Sequence, residues 1–252
     1  MRKNRSIGFY IALLIFTLSI LSIGTLIDRH QSLNLLLAFI GAFGSSIVLI
    51  RVNASFRFLV GFGIFLRLLL FVSMPSLSDD IYRFIWDGRL LNHGINPFLE
   101  LPSYYINNDL YGDFLTLDVY YQLNSQNYFT VYPPVLQGVF GLATYCFPDS
   151  VLGSVIVMKS VLFLLEVGSI YCIVALLRHF KKNENAVLLY ALNPVVMLEI
   201  VGNLHFEGIM IFFLLLFLLL FIKNKKHLSA VSIGIAIVAK LLPLMFLPFL
   251  IR

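Results

Sequence analysis

The stretch PVLQGVFGLATYCF, residues 134 to 147, decides the topology of this chain. It is apolar enough to enter a bilayer, yet it is shorter than the roughly 20 residues a helix needs to span one. If it crosses, everything after it changes sides. Around it lie seven apolar segments, at about 8–27, 34–51, 56–73, 152–177, 186–201, 208–222 and 228–250. With the N-terminus in the cytoplasm and 134–147 kept from crossing, Arg2, Lys3, Arg5, Arg51, Arg57, Arg178, Lys181, Lys182, Lys223, Lys225 and Lys226 all fall inside. Letting it cross places the RHFKK cluster at 178–182 outside, against the positive-inside tendency. The sequence therefore predicts an all-α polytopic membrane protein with seven crossings and one re-entrant or interfacial segment.

Composition agrees. Of 252 residues, 60% are apolar and 12% charged, and the mean hydropathy is +0.91, far from what a water-soluble domain shows. The formal charge of +5 sits in small clusters between apolar runs, which suits membrane orientation and gives no nucleic-acid site. The first apolar run follows MRKNRS, is longer than a signal-peptide core and lacks an obvious cleavage site, so it reads as a retained helix. Cys146 and Cys172, near opposite ends of one apolar segment, imply no disulfide. The whole of 1–252 reads as a single membrane domain without an internal repeat.

The seven crossings put residues 74–134 outside. This connection carries seven acids, Asp79, Asp80, Asp87, Glu100, Asp109, Asp113 and Asp118, against Arg83 and Arg89, together with 13 aromatic residues including the only tryptophan, Trp86. Loops of that length are usually functional. At its start, SLSDDIYRFIWDGRLLNHGINPF (76–98) reads as an amphipathic helix on the outer membrane surface. Ser78 suits an N-cap, Asp79 and Asp80 fill a first turn where the dipole favours anions, and Gly94 suits the stop. Ile81, Phe84, Ile85, Gly88 and Leu91 form an apolar face, with Asp80, Arg83 and Asp87 on another. Spacing alone leaves two readings: a completed helix start with Arg83 bridging Asp79 or Asp87, or an acid pair presented to a substrate at the membrane rim.

Further polar residues gather at the same predicted face. LNPVVMLEIVGNLHFEG (192–208) breaks at Asn193-Pro194 and emerges with Glu199, Asn203, His205 and Glu207. His205 and Glu207 suit a metal or a substrate phosphate, although an ordinary polar turn explains them too, since no third or fourth ligand is fixed. A divalent metal stays an open alternative. Inside the apolar segments, Arg67 and Lys159 are near enough to helix ends to snorkel. Lys240 falls near the centre of the last segment, beside Pro243, with Glu166 as a partner for it.

In order along the chain, SDDIYRFIWDG followed by GINPF, the YPP of Tyr132 to Pro134, LNP followed by NLHFEG, and AKLLPL resemble the multi-spanning glycosyltransferases of the GT-C superfamily, nearest to bacterial relatives of the first mannosyltransferase of glycosylphosphatidylinositol assembly. The resemblance runs from about residue 75 to the end. It implies transfer of a hexose, mannose by resemblance, from a polyprenyl-phosphate donor to a lipid or glycan acceptor, with inversion. It implies a loop acid, Asp79 or Asp80, as general base. Arg83, His205 and Lys240 become candidates for the leaving phosphate, Tyr82, Trp86 and Tyr132 for the sugar, with Asp87 and Glu207 as further binding residues. It implies the bacterial cell membrane, or the endoplasmic reticulum membrane in a eukaryote. Relatives continue with further helices, which predicts that this chain is the N-terminal part of such a module, a fragment or truncated product. The rival reading is a transporter or flippase, resting on Glu166 and Lys240, and a third is a membrane scaffold.

Overall fold

The computed structural model describes residues 7–52, 54–110 and 112–250. Arg2, Lys3 and Arg5 of the charge argument lie outside them. Twelve α-helices are described: α1 (Ile7–Thr25), α2 (Ser32–Arg51), α3 (Phe56–Leu69), α4 (Asp80–Asn92), α5 (Pro102–Asn107), α6 (Leu117–Gln122), α7 (Pro134–Cys146), α8 (Val151–His179), α9 (Leu188–Ala191), α10 (Pro194–Val196), α11 (Glu207–Ile222) and α12 (Lys226–Ala239). A 3-10 turn, Glu184–Val187, precedes α9, a π-helical turn, Met197–Gly202, follows α10, and a 3-10 segment, Leu242–Leu250, follows α12.

The protein is helical and apolar as expected, but seven crossings is corrected. Among the described residues, only α1, α2 and α8 are long and apolar enough to span a bilayer. The segments Glu184–Ala191 and Pro194–Gly202, bent by 55° at their junction, make a fourth if they count as one broken span. The physical reasons are local. At Asn193 the backbone turns extended before Pro194, and the Asn193 side chain accepts from the amides of Val195 and Val196 as an N-cap, so helix cannot run through. The last apolar segment is likewise not one helix: α12 ends at Ala239, and Lys240 takes extended backbone before the 3-10 segment.

A similar stop shortens α3 to 14 residues. Lys159 of α8 places its ammonium on the carbonyls of Leu70 and Ser73, at 2.5 and 2.6 Å, and on the Ser73 hydroxyl at 3.1 Å. It thereby satisfies carbonyl groups that a continuing helix would have bonded itself. Arg67 is also anchored rather than snorkelling. Its guanidinium is fully buried, bonds Glu166 at 3.0 and 3.2 Å, and donates to the carbonyls of Gly63 and Ala191 at 3.1 and 2.8 Å. Tyr190 donates to the other Glu166 oxygen. The expected Glu166–Lys240 partnership is therefore replaced by Arg67–Glu166, which ties α3, α8 and α9 together.

Two large apolar cores result, beside a smaller cluster of Ile170, Val187 and Ala191. One gathers α1, α2 and α3 with Leu188, Leu192, Met197 and Leu198. The other gathers α4, α7, α8 and the 200–210 region with the end of α12, and it carries the site. There α7, the short stretch that decided the topology, lies against α4. Gly88 of α4 makes the approach possible, since a Cβ at that position would stand 2.4 Å from the Phe140 carbonyl oxygen.

Candidate active site

The chain enters α4 through Ser78, whose hydroxyl accepts from the Asp80 amide at 3.3 Å, and leaves it at Gly94, which has φ of +72°. Between them the helix is buried along most of its length. It is therefore held inside the second core, where the sequence suggested a helix lying free on a surface. The Arg83–Asp87 pair explains much of this. Arg83 Nε bonds Asp87 at 2.7 Å and its guanidinium reaches the carbonyls of Ser125 and Tyr128. Asp87 is fully buried and also accepts from Thr130 at 2.5 Å and Gln137 at 2.9 Å. Burial pushes the Asp87 carboxyl above its ordinary value, while Arg83, Thr130 and Gln137 oppose that rise. This clamp joins α4, the returning loop and α7.

Trp86 is 1% exposed, packed beside Tyr105 and Tyr120. Tyr82 is half-buried against the same core. Arg83, Trp86, Asp87 and Tyr82 thus frame the site without lining its cavity.

The cavity has a volume of about 730 Å³, and Asp80, Tyr132, His205, Glu207 and Lys240 line it together with apolar side chains including Leu136, Leu204 and Leu241. Four stretches far apart in the chain meet here: the start of α4, the entry to α7, the turn before α11 and the end of α12. Behind them, Phe84 stacks on Phe140 with centroids 4.5 Å apart, and Tyr132 and Phe206 meet both rings edge-on. That aromatic knot fixes the back wall.

The two adjacent acids have separate surroundings. Asp79, 38% exposed, pairs with Arg29 at 2.5 Å, from the turn between α1 and α2. Asp80 faces the cavity and accepts from the Asn124 amide at 2.8 Å. Burial, followed by the charge and hydrogen bond of Asp80, raises the Tyr132 hydroxyl above its ordinary value and keeps it protonated. Across the cavity, His205 Nδ1 lies 2.9 Å from Glu199, and this hydrogen bond raises His205 while burial opposes it. Glu207 pairs with Lys240. Lys240 is therefore a half-exposed group at a helix end, and the intramembrane charge pair behind the transporter reading is not formed. Among the described residues no three His, Cys, Asp or Glu side chains converge as a metal site.

Arg29, Asn124, Thr130 and Gln137 escaped the sequence reading. They reach the acids from other elements, and no periodicity or motif links them to α4. His205, Glu207 and Lys240 were legible because a turn and a proline-broken helix end concentrate polar groups.

An arrangement with a carboxylate on one side, cationic groups on another and an apolar margin suits an amphipathic substrate with a polar head. No solved structure matches the chain. An alpha-(1->6)-mannopyranosyltransferase A of Corynebacterium glutamicum is 27% identical over 185 residues, covering 72% of this chain and 36% of that protein. The chain thus spans about a third of the length of this curated relative. Residues 13–252 match the family described as the N-terminal domain of alpha-(1->6)-mannopyranosyltransferase. Covering nearly the whole chain, that match agrees with the GT-C mannosyltransferase-like motifs: the protein belongs to the alpha-(1->6)-mannopyranosyltransferase N-terminal-domain family.

Proposed function

We propose that this chain forms the single membrane domain carrying the transfer site of a mannosyltransferase that uses polyprenyl-phosphate mannose, with loop 74–134 and its cavity on the extracytoplasmic side. The observation that carries the proposal is the convergence of Asp80, Tyr132, His205, Glu207 and Lys240 on one cavity with an apolar margin. Asp80 is the general base. Its carboxylate takes the proton from an acceptor hydroxyl as that oxygen attacks the anomeric carbon, and the bond from that carbon to the lipid phosphate breaks. The phosphate leaves with the bonding electrons, and the cationic side chains of Lys240 and His205 stabilise its growing charge. A single displacement on the face opposite the phosphate inverts the anomeric centre.

Asp79 is the poorer base, because Arg29 already holds its carboxylate. Asn124 and Tyr132 instead donate to Asp80 and aim it. Membranes containing the protein, supplied with labelled polyprenyl-phosphate mannose and a mannan acceptor, test this. Asp80→Asn lowers transfer by at least about a hundredfold at normal expression, the scale of a lost general base. Asp79→Asn lowers it by much less. Equal loss in the two variants, or none in Asp80→Asn, overturns the assignment.

A further inference from the structure

A second cavity, of about 510 Å³, opens at the other end of α4, and the chemistry above makes no use of it. Arg89 of α4, His93 just past its end, Asp113 and Phe114 of the loop, Tyr145 of α7 and Asp149 before α8 line it. Its frame is built. Arg89 is 7% exposed, and its guanidinium donates to Thr116 at 3.3 Å and to the Pro148 carbonyl at 2.9 Å, joining three chain segments. Asn92 fixes α7 alongside through Gly141 and Thr144, at 3.1 and 2.8 Å.

The lining suits a neutral polyhydroxyl ligand. His93 lies flat on Phe114, with ring centroids 3.8 Å apart and planes at 18°, and Tyr145 is 77% exposed beside them. Flat rings with polar tips cover the C–H face of a sugar, while exposed carboxylates such as Asp113 and Asp149 accept from pairs of hydroxyls. Those same carboxylates offset Arg89 and disfavour a phosphate.

Position supplies the second argument. Both cavities border the α4–α7 pair, at opposite ends. Asp80 and Arg89 stand on one helix, so they are about 13 Å apart along its axis at a rise of about 1.5 Å per residue. One extended short oligosaccharide covers that span. We propose that the cavity at Arg89 is a distal subsite that holds the acceptor as a neutral oligosaccharide, with its reacting end at Asp80. The inference rests on the transfer reading.

The test is binding, measured by calorimetry on the full chain in lipid nanodiscs, with α-1,6-linked mannotetraose, methyl α-mannoside and inorganic phosphate as probes. Tyr145 and Asp149 are exposed, so Tyr145→Ala and Asp149→Ala leave the core intact. The tetraose is expected to bind at least about tenfold more tightly than the monosaccharide. Tyr145→Ala and Asp149→Ala each remove that advantage, and Asp80→Asn keeps it. Absence of saturable tetraose binding, equal affinity for the two sugars, an advantage surviving both cavity variants, or tighter binding of phosphate overturns the subsite. Length-dependent binding in a protein without transfer activity counts against the reaction and leaves the subsite standing.

Discussion

Asp79 and Asp80 differ by one position in sequence and by their whole surroundings in the fold. His205 shows the same dependence on neighbours. Its imidazolium is favoured by the Glu199 hydrogen bond, so its folded value lies above the ordinary one. The stabilisation from that contact is complete below about pH 6.5 and is lost as pH rises through the raised folded value. If the imidazolium faces the departing phosphate, transfer falls along that alkaline limb. Glu199→Gln takes away the carboxylate and moves the limb to lower pH, which a pH–rate profile of mannose transfer measures. A limb that stays in place removes His205 from that role. At this scale the sequence showed which residues were polar and near a turn. It could not show that Arg29, fifty residues upstream, occupies one acid of the pair, because a contact of that separation leaves no local signal.

Among the elements, α4 and α7 behave as one unit because the Arg83–Asp87 clamp and the Gly88 contact join them. Asp87→Ala strands a buried guanidinium and is expected to destabilise the fold by about 3–5 kcal/mol, a far larger loss than removing Glu184 from the solvent-exposed Arg178–Glu184 pair. Thermal unfolding in detergent compares the two, and similar losses would show that the clamp carries no special weight. Periodicity made α4 legible, including its apolar face and its glycine stop. It did not show that the polar side is buried too, since Thr130 and Gln137 arrive from the far end of the loop. The length of 134–147 marked α7 as too short to span, and its packing against α4 shows what such a segment is for.

For the whole molecule, apolar composition identified a helical membrane protein but overstated its crossings. Hydropathy counts residues, whereas helix ends depend on Asn193-Pro194, on the extended backbone at Lys240 and on the Lys159 ammonium at the end of α3. The proposed orientation predicts opposite labelling behaviour for two exposed positions. With Cys146 and Cys172 replaced by serine, Asn108→Cys reacts with an impermeant maleimide in intact cells, and Lys182→Cys reacts only after permeabilisation. The reverse pattern inverts the topology.

The Arg67–Glu166 pair also bears on how the protein is made. Synthesis runs from the N-terminus, so Arg67 meets the bilayer when Glu166 has yet to leave the ribosome. Arg67 stands in the last turn of the 14-residue α3, where a guanidinium in apolar surroundings is costly until an acid pairs with it. When α8 arrives it brings Glu166 for that arginine and Lys159 for the open end of α3. On this account the third helix gains its charge partners only once the eighth has been made.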